Sequence, residues 1–150
     1  MSVKSSRGNW ESIWNNRDIE EIIRHKSVLI KLMIANGHIG KKKKINVVSW
    51  KKYVKNIINI LSPEKKSSLF EVGCGSGALL YLLKDKFQDY GGCDYSKNLV
   101  SIASKYLNKK KIFFQNAKKL NLKKKFDYVI ASSVFEYLTQ AEIKKVLSNM

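Results

Sequence analysis

Apolar positions recur along this chain with two different periods, and the switch between them predicts its elements. Over residues 9–35 the side chains of Trp10, Ile13, Trp14, Ile22, Ile23, Val28, Leu29, Leu32 and Met33 keep a spacing that suits one or two amphipathic helices. Asn36-Gly37-His38-Ile39-Gly40 and the lysine run behind it end that pattern and read as a loop. A second helix begins near Ser49, places Trp50, Tyr53, Val54, Ile57, Ile58 and Leu61 on one side and stops before Pro63. From there short apolar runs alternate with helical stretches: strand 68–73, helix 77–87, strand 90–94, helix 97–107, strand 111–115, strand 126–131 and helix 139–150. Such alternation implies an α/β chain, a doubly wound and mostly parallel sheet with helices on both faces. The link over 118–125 is short for a crossover helix and predicts a helical turn or an irregular loop. The expected organisation is one domain, with a helical cap over 1–62 and a core over 63–150. The pattern stops at Met150 inside a helix after the fourth strand, so the sequence reads as a fragment of a longer protein. Its fourth strand would then form an edge open to self-association.

Composition changes this picture little. At 150 residues and 44% hydrophobic content the chain can bury one core. It has no apolar run near the ~20 residues of a membrane span, and residues 1–17 lack a basic-then-apolar leader, so a soluble, cytoplasmic protein without membrane contact is expected. Cys74 and Cys93 have neither metal-ligand spacing nor the density of a disulfide framework. They read as reduced, close-packing thiols that become neighbours if the first two strands pair, and no metal is expected. The net charge of +17 raises nucleic acid as a partner. Of the 29 cations, however, only Arg7, Arg17 and Arg24 are arginine, the residue that nucleic-acid surfaces favour. The lysine clusters at 41–44, 109–111 and 123–125 fall at loops and strand starts, where they serve solubility and steering.

The chemistry sits in Leu69-Phe70-Glu71-Val72-Gly73-Cys74-Gly75-Ser76-Gly77. Alternating glycines let the backbone turn sharply out of a strand and let a ligand press against its N–H groups. Gly73, Gly75 and Ala78 also satisfy the G-x-G-x-x-G/A spacing of a dinucleotide site, with Asp94 lying 21 positions after Gly73. A dinucleotide brings phosphates to the loop amides, and the Glu71 carboxylate beside them opposes that. An anion at this place suits a cation.

The run hydrophobic-hydrophobic-acidic-hydrophobic-G-x-G-x-G resembles the first motif of the class I S-adenosylmethionine-dependent methyltransferases, which have a Rossmann-like sheet. The resemblance continues downstream over roughly residues 48–150. Gly91-Gly92-Cys93-Asp94-Tyr95-Ser96 resembles the second strand, which implies that Asp94 accepts hydrogen bonds from the ribose hydroxyls, with Tyr95 beside it. Phe113-Phe114-Gln115-Asn116-Ala117 resembles the third strand and the polar residue that meets the adenine amino group, most often Asp in the family and here Asn116. The segment 126–138 resembles the fourth strand and its loop, whose first residues, Ser132 and Ser133, would line the methyl-transfer pocket. The resemblance thus implies a cofactor set of Glu71, Gly73, Cys74, Gly75, Gly77, Asp94, Tyr95, Asn116, Ala117, Ser132 and Ser133. The cofactor would be S-adenosylmethionine and its product S-adenosylhomocysteine.

Methyl transfer is an in-line displacement that asks the protein for alignment and, for some acceptors, a base. Many relatives carry Glu-His where this chain has Glu136-Tyr137, so that histidine is absent. The base candidates are Glu136, Tyr137 and His38, the last either entering a lid or an ordinary surface histidine. Trp10, Trp14 and Trp50 either cover the cofactor or belong to the core. The helical cap points to a small-molecule acceptor. The charge points instead to RNA or protein, and the early chain end to a cofactor-binding module without activity. No N-P-P-Y type tetrapeptide follows the fourth strand, where Ser132-Ser133-Val134-Phe135 stands, which disfavours methylation of adenine or glutamine amino groups.

Overall fold

The computed structural model describes residues 25–38 and 45–150; Trp10, Trp14, the expected helix before residue 25 and the lysine run at 41–44 lie outside them. Helix α1 (Val28–Ala35) is the described part of the first amphipathic stretch. Helix α2 (Val47–Leu61) starts two residues before Ser49 because Asn46 caps it, its Oδ1 accepting the Ser49 N–H at 2.9 Å. It ends at Ser62, left-handed at φ 42°, just before Pro63.

The core then runs β1 (Ser68–Val72), α3 (Ala78–Leu83), β2 (Asp89–Asp94), α4 (Lys97–Tyr106), β3 (Ile112–Phe114), β4 (Tyr128–Ala131) and α5 (Gln140–Ser148). A single 3₁₀ turn, Ala117–Lys119, occupies the short link before β4, as its length requires. Helix α5 opens on a capping box in which Thr139 and Glu142 satisfy each other's backbone N–H groups. All strand pairs are parallel, in the order β3-β2-β1-β4. The chain leaves β1 in one direction for β2 and β3 and returns to its other side for β4. The crevice at the carboxyl ends of β1 and β4 is therefore the topological switch point.

Successive β1 residues face opposite layers. Leu69 packs under α2, α3 and α4 with Leu79, Leu80, Leu83 and Leu107, while Phe70 and Val72 pack on Leu120 and on Val146 of α5. Helix α1 seals the first layer, with Leu32 and Met33 against Ala78, Leu99 and Ile102. Each such buried side chain contributes about 1.5–3 kcal/mol of transfer free energy. At the opposite end of the sheet Asp89 pairs with Lys111 at 2.5 Å and with Lys124. The two ammonium groups lie over the rings of Tyr90 and Phe126, so part of both lysine clusters is tied to the fold. No described helix is long and apolar enough to cross a membrane.

Candidate functional site

The register sets Glu71 of β1 beside Gly92 of β2, so Asp94, two residues further on, faces the same side of the sheet one step nearer its carboxyl edge. The chain between them folds back on β2: the N–H groups of Gly73 and Cys74 both donate to the Cys93 carbonyl, at 2.8 and 2.9 Å. Gly75 N–H donates to Asp94 Oδ2 at 2.9 Å and Ser96 N–H to Oδ1 at 2.8 Å. Ser76 N–H donates to Asn36 Oδ1 at 2.7 Å, and Ser76 Oγ–H to the Leu32 carbonyl at 2.6 Å.

Two of the glycines are dictated by close approach. Gly73 lies at φ 71°, and a Cβ there would stand 2.3 Å from Val134 Cγ2. Gly75 lies at φ 54°, and its Cβ would stand 2.4 Å from Asn36 Oδ1. The loop after β4 and the end of α1 thus press on the glycine loop from two sides. Ser133, beside Val134, is itself left-handed at φ 56°, a conformation that costs a non-glycine residue on the order of 1 kcal/mol.

Both carboxyl groups are buried, Glu71 at 3% and Asp94 at 6% exposure, and among the described residues neither pairs with a lysine or arginine. Burial pushes Glu71 up to about 8, the Asp94 charge adds to that, and the Leu80 amide in the first turn of α3 opposes it. Burial also raises Asp94, against the amides of Ser96, Gly75 and Tyr95. Glu71 Oε2 is buried without a hydrogen-bond partner among the described residues. Burial likewise lifts the Cys93 thiol to about 12 and the Cys74 thiol well above its ordinary value, so neither is a ready nucleophile.

On the β4 side, Ser132 Oγ and Tyr53 Oη are hydrogen-bonded at 2.9 Å. A cavity of about 280 Å³ opens below them between α2 and β4, lined by Ile57, Leu61, Leu79 and Ile130. The Tyr53 ring lies 5.3 Å from Trp50, and Trp50 lies 4.4 Å from His38. His38 therefore belongs to an aromatic row that leads to the end of β4. Trp50 is packed against the core, yet its Nε1 is buried without a partner among the described residues.

The remaining expected residues are placed differently. Asn116 is exposed, and its Oδ1 accepts the Lys118 N–H at 2.9 Å to open the 3₁₀ turn. Ala117 packs on the Phe70 layer. Tyr95 is half-buried directly after Asp94. Glu136 is exposed on the 3₁₀ turn Phe135–Tyr137, where Tyr137 is half-buried. The sequence reading missed Asn36, Ser76 and Tyr53 as members of the site. Asn36 stood before a glycine and read as punctuation, and Tyr53 read as one more apolar helix position.

The family described as methyltransferase domain matches residues 70–150. A curated relative, ribosomal RNA small subunit methyltransferase A of Wigglesworthia glossinidia brevipalpis, is 36% identical over 84 residues. That match takes in 54% of this chain and 32% of the relative, so the chain spans about a third of its length. Among solved structures, DesVI of Streptomyces venezuelae is similar at 26% identity and a TM-score of 0.57, over 64% of this chain and 42% of that one. Magnesium protoporphyrin IX methyltransferase (ChlM) of Synechocystis PCC 6803, solved with bound SAM, superposes with a TM-score of 0.63 at 18% identity, over 99% of this chain and 72% of that one. With a matching family over more than half its length and a glycine loop at the switch point of a parallel sheet, the chain belongs to the class I S-adenosylmethionine-dependent methyltransferases.

Proposed function

We propose that the chain binds S-adenosylmethionine in the crevice between the glycine loop and the ends of β2 and β4, and serves methyl transfer to a small-molecule acceptor. The observation that carries this reading is Glu71, a buried carboxyl beside the glycine loop with one oxygen lacking any donor among the described residues. A buried acceptor left unmet costs about 1–3 kcal/mol, which a positively charged N–H donor from a ligand removes. The residues present thus fit a cationic, nucleoside-bearing cofactor, and a pyrophosphate would meet two carboxyl groups instead.

In this reading Glu71 holds the ammonium end, Asp94 accepts from the ribose hydroxyls beside the amides of Gly75, Ser96 and Tyr95, and Gly73, Cys74, Gly75 and Gly77 form the wall. Tyr95, Asn116 and Ala117 border the base, Asn116 through the lone pair of Oδ1 that the Lys118 amide leaves free. When bound, the cofactor supplies an electrophilic methyl group on a sulfonium. Ser132 and Ser133 flank the acceptor side, and the cavity bounded by Tyr53 receives an apolar body with a polar tip at the two hydroxyls. His38 is the base candidate joined to that side by ring contacts, ahead of the exposed Glu136. Residues 1–62 act as the cap and 63–150 as the cofactor-binding unit.

RNA as acceptor is a second reading, favoured by the similarity to a ribosomal RNA methyltransferase and by the charge of +17. The test is transfer of a labelled methyl group from S-adenosylmethionine to fractions of a cell extract. Label in the low-molecular-weight fraction supports the first reading. Label confined to RNA supports the second and overturns the first.

A further inference from the structure

Asn36 makes the only contact among the described residues in which a side chain from outside the core accepts a loop amide. It caps the carboxyl end of α1, its backbone N–H donating to the Leu32 carbonyl at 3.0 Å, and its side chain reaches forward to the glycine loop. Oδ1 takes the Ser76 N–H at 2.7 Å, and the carboxamide lies against Gly75, with Oδ1, Cγ and Nδ2 standing 2.4, 3.0 and 3.2 Å from where a Cβ would be. The Leu32 carbonyl also takes the Ser76 hydroxyl at 2.6 Å, and Ser76 is fully buried. Two neighbouring acceptors from the end of one helix therefore fix one loop residue at both its polar groups. Gly75 in turn donates to Asp94. A shift of the loop at Ser76 would move the amide that orients the Asp94 carboxylate.

We propose that Asn36 is a positioning residue for cofactor binding: it fastens the glycine loop to α1 and holds Gly75, and through it Asp94, in the binding geometry. The proposal rests on the reading of this loop as the S-adenosylmethionine site. It also explains why the middle glycine cannot carry a side chain. An isolated loop with three left-handed residues has many accessible shapes, and restricting them before the ligand arrives raises affinity by lowering the ordering entropy.

The test compares Asn36→Leu, which keeps the size and removes the acceptor, with Asn36→Asp, which keeps the acceptor. Two readouts are needed: the Kd for S-adenosylhomocysteine and hydrogen exchange at the Ser76 amide without ligand. The expected result is about tenfold weaker binding and about tenfold faster Ser76 exchange for Asn36→Leu, the worth of one hydrogen bond to a well-ordered group. Asn36→Asp should stay within about threefold of wild type in both, and thermal midpoints confirm that both variants fold. Equal losses in the two variants, or unchanged Ser76 exchange in Asn36→Leu, would overturn the proposal. Tighter binding by Asn36→Leu would overturn it in the other direction, showing that the carboxamide competes with the ligand. If wild type itself does not bind, the cofactor reading falls, and the exchange rates alone then decide whether Asn36 fastens the loop.

Discussion

Replacing Glu71 by Gln separates a buried acid from a merely strand-ending one. The folded protein holds this carboxyl at about 8 against 4.5 for the ordinary group. A folded pKa above the unfolded one means that the native state binds the extra proton between those values. Its stabilisation is complete below pH 4.5 and is lost as pH rises through 8. The whole difference is worth at most about 5 kcal/mol, and about 3 kcal/mol of it falls between pH 5 and pH 8. Of the other shifted acids, only Asp94 acts in the same direction. Asp89 and Glu142, both lowered to about 2, act with opposite sign below the ordinary carboxylate range, and the raised thiols act only in strong alkali. Asp94 is raised, so it shares the sign of Glu71, and it remains in the variant.

Urea denaturation without ligand at pH 5, 6, 7 and 8 reads this directly. Wild type should lose about 3 kcal/mol across the series, and Glu71→Gln, which cannot ionise, should lose less than half of that. The absolute stability of the variant is less informative, since its amide oxygen can keep the Leu80 N–H while its NH₂ is left where Glu71 Oε2 has no partner among the described residues. The slope carries the information. Parallel slopes for the two proteins, or a wild type that gains stability toward pH 8, would refute the buried-acid account.

Other perturbations follow from the same geometry. Gly73→Ala should destabilise the fold by about 2–3 kcal/mol in urea, because the new methyl meets Val134 and the residue stays left-handed; a change below about 0.5 kcal/mol would mean the two loops are not in contact. Asp94→Ala should weaken S-adenosylhomocysteine by about 1.5–3 kcal/mol and Asp94→Asn by less, since Asn keeps one oxygen for an amide; calorimetry with unchanged affinity for both would remove Asp94 from the site. Asp89→Asn should cost about 1 kcal/mol at neutral pH and less than half of that at pH 2, where about half of the wild-type carboxylate is itself protonated. Binding to RNA or DNA should be sequence-indifferent and fall steeply across a salt series; a persistent nanomolar preference for one RNA would favour the second reading of the acceptor.

The period of apolar residues sufficed for the sheet and most of its helices, because each strand lies between turn signals and helices such as α2 and α4 have a single buried side, whereas α1 is buried nearly all round at Leu32, Met33, Ile34 and Ala35. Helix α4 lies within one residue of its expected bounds for that reason, and β1 likewise. The glycine loop was legible too, since only a short list of residues permits three left-handed positions after a strand. Long-range partners were not. Nothing in the sequence around Asn36 or Tyr53 tells that one rests on Gly75 and the other meets Ser132 across 79 positions. Burial was equally hidden: Glu71 and Glu136 are the same residue type beside apolar neighbours, yet one lies under α3 and the other on an exposed turn. Asn116 shows the converse, a residue whose family place was readable while its local use, capping the 3₁₀ turn with the Lys118 amide, was not.

The central claim is that a cation, and not a phosphate, belongs beside Glu71. Isothermal titration of the protein with S-adenosylhomocysteine and, separately, with NADH tests it, run at pH 6.5 and 8 in two buffers of different ionisation enthalpy. The account predicts saturable binding of S-adenosylhomocysteine, stronger at pH 8, with a proton released at pH 6.5 as the ammonium group holds Glu71 ionised. Saturable binding of NADH with no response to S-adenosylhomocysteine would contradict it.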